Sequence, residues 1–218
     1  MSFQLDQQTT IAADDFETAA TGDHGTARAG KCGSAVAGMC GSAVAGDYGT
    51  ATVGEYGSAV AGDYGAANAG KRGTATAGLR GVAVAGDYGT ATAGVYGSAV
   101  AGDYGTATAR YRGCAVAGNG GTAAAGEGGI AVAGEYGTAT AGDEGSATAG
   151  AGGTATAGKG GTATVGLNGI AAAGEGGCIQ IVLFDGSRAL LRVGFIGEEG
   201  LRANVQYRLD EEHNFVEV

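Results

Sequence analysis

Tyr48, Tyr64, Arg80, Tyr96 and Arg112 follow one another at sixteen-residue intervals, with Cys32 before them. A second series, Cys40, Tyr56, Arg72, Tyr88 and Tyr104, runs halfway between. These residue types at a fixed spacing point to the chemistry of contact. Rings stacked on one another, or covered by guanidinium groups, hold each other by stacking and cation–π attraction. Tyr and Arg are also the side chains that most often anchor protein interfaces. Mutual support and contact surface both remain open. One unit breaks the pattern: Arg110-Tyr111-Arg112 stands where Gly-x-Tyr is expected, and Arg110 is the one non-Gly in its column from Gly22 to Gly174. The candidate partner-binding residues are therefore Tyr48, Tyr64, Arg80, Tyr88, Tyr96, Tyr104, Arg110, Tyr111 and Arg112.

Other chemistries find no residues to carry them. No Ser/His/Asp set, no pair of carboxylates in a cleft and no phosphate loop stands out, and the G-x-x-G spacings belong to a repeat. Cys32, Cys40, Cys114 and Cys178 form no C-x-x-C pair, and His24 and His213 lie far from any second ligand. The expectation is a protein that is no enzyme, with no cofactor and no metal.

The elements that must position these residues come from an octapeptide, G-T-A-T-A-G-D-Y, repeated from Gly22 to Gly177. Glycine recurs at every eighth residue from Gly25 to Gly177, and alanine from Ala27 to Ala171. In Thr90-Ala91-Thr92-Ala93 the alternation has the period of a β-strand, with Ala on one face. The Gly-x-x-Gly between strands supplies turn backbone. Four residues of strand and four of turn, repeated, give a β-solenoid. Outward Thr76, Thr92, Thr108 and Thr140 are spaced in multiples of sixteen, and Val84, Val100, Val116 and Val132 fall sixteen apart between them. The fold class is all-β: a single-chain solenoid of about ten 16-residue coils of two strands, with an Ala/Gly interior and a small C-terminal β cap. A three-sided coil or an intertwined trimer is the alternative. Ala against Ala cannot fill the usual ~10 Å between packed sheets, so the two layers should approach more closely.

The organisation follows: 1–21 an N-terminal cap with a degenerate first rung, 22–177 the solenoid, 178–218 the C-terminal cap. In that cap, Cys178–Phe184 and Arg188–Val193 read as strands around an Asp185-Gly186 hairpin, with further strands near Val205–Leu209 and Phe215–Val218. The Val84, Val100, Val116 and Val132 row is a candidate homodimer face. Its plainer explanation is that β-branched residues favour strands.

The chain has 218 residues, 48 of them Gly, no Pro and a net charge of −10. That charge argues against a nucleic-acid partner. The acids concentrate at the two ends, which leaves the repeat nearly balanced and a poor mimic of DNA. The opening MSFQLDQQTT has no signal-peptide pattern, and no apolar run reaches the ~20 residues of a membrane span, so a cytoplasmic protein without membrane contact is expected.

The unit Ala101-Gly102-Asp103-Tyr104-Gly105-Thr106-Ala107-Thr108 resembles the octapeptide of bacterial ice-nucleation proteins. The resemblance covers about 155 residues of low-complexity sequence. It implies Thr-x-Thr rows facing ice and a Tyr ladder used for pairing. The Val-rich second face and the cap depart from that family. Gly177-Cys178-Ile179 and the segment from Tyr207-Arg208-Leu209 to Phe215-Val216-Glu217-Val218 resemble the cap of small bacterial and phage solenoid proteins of unknown function. Three functions are then open. One is a protein-binding module, most concretely an immunity or antitoxin protein that blocks a basic toxin. The others are an ice-binding protein using the Thr face and a structural spacer that dimerises.

Overall fold

The computed structural model describes residues 9–184 and 186–218. They form twenty-five strands, β1–β25 in chain order, and the described residues contain no helix. Among β1–β22 themselves the odd-numbered strands pair with odd ones and the even-numbered with even ones, all parallel. Partners lie sixteen residues apart, as in Thr90↔Thr106 and Val84↔Val100. The coil is therefore two-sided and single-chain. It makes eleven turns from β1 (Thr10–Ala13) to β22 (Cys178–Phe184), close to the ten expected. The degenerate first rung exists, as β1 and β2 (Thr18–Ala20).

Inside lie two columns from each sheet. The column of Ala27, Ala91 and Ala155 is fully buried from Ala19 to Ala171. The column of Ala29, Ala93 and Ala157 is also buried, but Val53 and Val165 depart from alanine there. The glycine that ends each turn sits over this second column: a Cβ on Gly41 would lie 2.7 Å from the Cβ of Ala37.

Side-chain types, unlike strands, do not stay on one sheet. Ser42/Val44 and Ser58/Val60 lie on the odd sheet and Thr50/Thr52 on the even one. From β9 (Thr74–Ala77) to β19 (Thr154–Ala157) the Thr pairs lie on the odd sheet, and Thr162/Thr164 return to the even one. The coil passes through this exchange without a break in register.

The end of the solenoid is built into its sheets. β22 continues the even sheet as a parallel strand, and β23 (Ala189–Phe195) folds back on it antiparallel. Asp185 of the expected hairpin turn lies outside the described residues. β24 (Tyr207–Leu209) pairs antiparallel with β21 (Ile170–Ala173) and β25 (Phe215–Glu217) follows it, closing the odd sheet. Ile179 and Ile181 take over the two alanine columns where the coils end and larger side chains fit, and both are buried. Leu201, Tyr207 and Phe215 pack above them. Arg202 clasps the Glu217 carboxylate through Nη2 at 2.7 and 2.6 Å, and its backbone N–H donates to the Tyr207 hydroxyl at 2.8 Å.

Candidate functional site

The turns make two edges on opposite sides of the rod. Each is a four-residue turn closed by a backbone hydrogen bond, such as Gly81 N–H to Gly78 O at 3.1 Å. Its third residue has positive φ: 57° at Tyr64, 53° at Arg80 and 57° at Tyr96. That conformation suits Gly and costs other residues about 1–2 kcal/mol. Later turns do use Gly, at Gly120, Gly128, Gly152 and Gly160. Tyr136, Glu144 and Asn168 still carry side chains there, and at the earlier positions ladder contacts compensate for the strain.

The compensation is visible on both edges. On the edge that follows the odd strands, Tyr48 and Tyr64 stack with centroids 5.0 Å apart and planes 7° from parallel. Arg80 then lies between two rings, 5.9 Å from Tyr64 and 5.5 Å from Tyr96. Tyr111 meets Tyr96 edge-on at 5.7 Å and carries Arg112 over its own face at 5.3 Å. On the opposite edge Arg72 lies between Tyr56 and Tyr88, at 5.7 and 5.5 Å, and donates to the Tyr56 hydroxyl at 2.9 Å. Tyr88 stacks on Tyr104 at 5.2 Å. Ring spacing matches the ~4.8 Å strand spacing, so the parallel ladder itself sets the stack. The rings from Tyr48 to Tyr104 remain about half exposed, from 43% at Tyr64 to 61% at Tyr104, and Tyr111 is more buried.

Six of the nine candidate residues thus share one ladder: Tyr48, Tyr64, Arg80, Tyr96, Tyr111 and Arg112. Tyr88 and Tyr104 belong to the other edge, completed by Tyr56 and Arg72. Arg110 joins neither stack. It is exposed and lines a shallow groove with Thr76, Thr92, Leu79, Val95 and Asp63.

The sequence reading missed the acidic column of the turns. Asp63 Oδ1 accepts the backbone N–H of Leu79 at 2.8 Å, and Asp103 does the same for Asn119. Asp15, Asp23, Asp47, Asp87, Asn119 and Asp143 each make the equivalent bond one coil on. The next N–H in the turn finds a carbonyl, as in Arg80 N–H to Val95 O at 2.9 Å. Asp at the second turn position, repeated at multiples of eight, was the signal available in the sequence.

Among the described residues no group of three or more His, Cys, Asp or Glu is placed to hold a metal ion. All four cysteines are free, with Cys32 and Cys40 exposed in the turns. No protein family, curated protein or solved structure matches this chain.

Proposed function

We propose that this chain is a non-enzymatic protein-binding module whose contact surface is the pair of Tyr/Arg ladders. One observation carries this: half-exposed Tyr and Arg occupy every positive-φ turn position from 48 to 112, where most of the turns further on use Gly. Stacking fixes these side chains before a partner arrives, so little side-chain freedom is lost on binding. The net charge of −10 favours a basic partner and speeds its encounter. The most concrete form is an immunity or antitoxin protein that blocks a basic toxin in the cytoplasm.

The test is affinity purification of the tagged chain from its source cells, with mass spectrometry of what co-elutes. A stoichiometric partner that is lost on Tyr64→Ala or Tyr96→Ala, and kept on Thr92→Ser, supports the proposal. A partner indifferent to every ladder substitution refutes the contact surface.

A second reading rests on the odd sheet, where Thr90/Thr92 and Thr106/Thr108 stand in register on neighbouring strands. Such rows suit a regular lattice of water, as the ice-nucleation resemblance implies. Ala124 and Ala172 interrupt them. Inhibition of ice recrystallisation is the measurement that separates this reading from the first.

A further inference from the structure

The outward face of the even sheet carries residues that neither ladder uses. Val84, Val100, Val116 and Val132 stand in direct register on β10 (Val82–Ala85), β12 (Ser98–Ala101), β14 (Cys114–Ala117) and β16 (Ile130–Ala133). Val82 and Ile130 enlarge the patch and are 43% and 50% exposed. In the same coils the odd sheet carries Thr76, Thr92 and Thr108 at the equivalent positions. Thr and Val are both β-branched and both favour strands. The two sheets share the same alanine interior and the same form of turn, so strand propensity does not account for valine on one face and threonine on the other. What separates the two residues is whether the face meets water or an apolar surface.

The position of the patch identifies that surface. The even sheet has twelve strands, and β10 to β16 are its middle four, with four strands on either side. The flanking strands turn polar, with Ala66/Asn68 on one side and Ser146/Thr148, then Thr162/Thr164, on the other. An apolar centre with a polar rim is the anatomy of a protein interface. A patch at the middle of its sheet lets two copies overlap along their whole length when related by a two-fold axis. Eleven parallel strands of about four residues offer on the order of 700 Å² per copy, near the ~800 Å² per partner of a stable interface.

We propose that this face binds a second copy of this chain, sheet against sheet, about a two-fold axis between β12 and β14 with the rods antiparallel. Val100 then meets Val116 of the second copy, Val84 meets Val132, Val82 meets Ile130, and Ser98 meets Cys114. Both ladders stay free at the edges, so the dimer stands or falls independently of their proposed role.

The test is the mass in solution of the full chain, by sedimentation or by light scattering after size exclusion, at micromolar concentration. The wild type should show twice the 20.8 kDa chain mass. V84T/V100T/V116T/V132T, which keeps β-branching, should fall to the single-chain mass with an unchanged circular dichroism spectrum. In a chain whose Cys32, Cys40 and Cys178 are replaced by Ser, the remaining Cys114 sits beside the axis, about one strand spacing along the rod from Cys114 of the second copy, and should give a covalent dimer with a short bismaleimide. A wild type of single-chain mass overturns the proposal, as does a threonine variant that remains a dimer. A doubled mass without the Cys114 cross-link overturns the antiparallel register.

Discussion

The carboxylate of Asp63 accepts the backbone N–H of Leu79 at 2.8 Å, sixteen residues along the chain and one coil further up the rod. The same oxygen fills the space that a Cβ on Gly78 would need. Aspartate in one turn and glycine fifteen residues later are therefore one unit. Asp15 with Gly30, Asp47 with Gly62 and Asp103 with Gly118 repeat the relationship. Arg110 shows its converse: fifteen residues before it stands Val95, which has no carboxylate to displace.

Asp63→Asn should leave stability nearly unchanged, because Asn119 already makes this bond to Glu135 N–H at 2.9 Å. Asp63→Ala should cost about 0.5–1.5 kcal/mol, one net hydrogen bond. Gly78→Ala should cost about 1–3 kcal/mol by overpacking. The double variant should cost less than the sum, since the clash with the carboxylate is gone. Some cost remains, because Asp63 N still lies 2.8 Å from the new Cβ. Urea unfolding of the four proteins measures the coupling.

Arg80→Ala should be more damaging than Arg80→Gly. Both lose the contacts with Tyr64 and Tyr96, each contributing about 0.5–1 kcal/mol at an exposed site. Alanine keeps the positive-φ penalty of about 1–2 kcal/mol, whereas glycine removes it. The expected result is a loss of about 1–2 kcal/mol for alanine and a change near zero for glycine, read from thermal unfolding.

The two interior columns should differ in tolerance. Ala93→Val follows the precedent of Val53 and Val165 in the same column and should cost less than about 1 kcal/mol. Ala91→Leu has no precedent between Ala19 and Ala171, the larger Ile11 and Ile179 standing only on the end rungs of the column, and should cost about 1–3 kcal/mol. Chemical denaturation of both variants is the check.

Acid should open the C-terminal clasp. The hydrogen bonds from Arg202 hold the Glu217 carboxyl below its ordinary range, with further lowering by the Arg202 charge and the Tyr207 hydroxyl. A carboxylate depressed in the folded state stabilises above its unfolded pKa, and that contribution is lost as pH falls through the folded value. The clasp is thus complete at neutral pH and should fail only below the usual Glu range near ~4.3. Hydrogen exchange in Tyr207–Leu209 and Phe215–Glu217 should quicken there, and Glu217→Gln should show the quickened exchange already at neutral pH.

The octapeptide alone determined the strands, the turns, the sixteen-residue coil and the alanine interior. It could do so because each depends on local alternation and on a period that every unit repeats. It also placed Tyr64, Arg80 and Tyr96 in one column, because in-register parallel pairing turns sequence spacing directly into stacking. Three features were decided only by tertiary structure. Whether Arg80 leans on its neighbouring rings depends on rotamers that spacing does not encode. The bond from Asp63 to Leu79 requires a turn geometry in which one coil's carboxylate reaches the next coil's backbone. The cap joins both sheets through β22 and β24, and these contacts between distant segments leave no periodic trace in the chain.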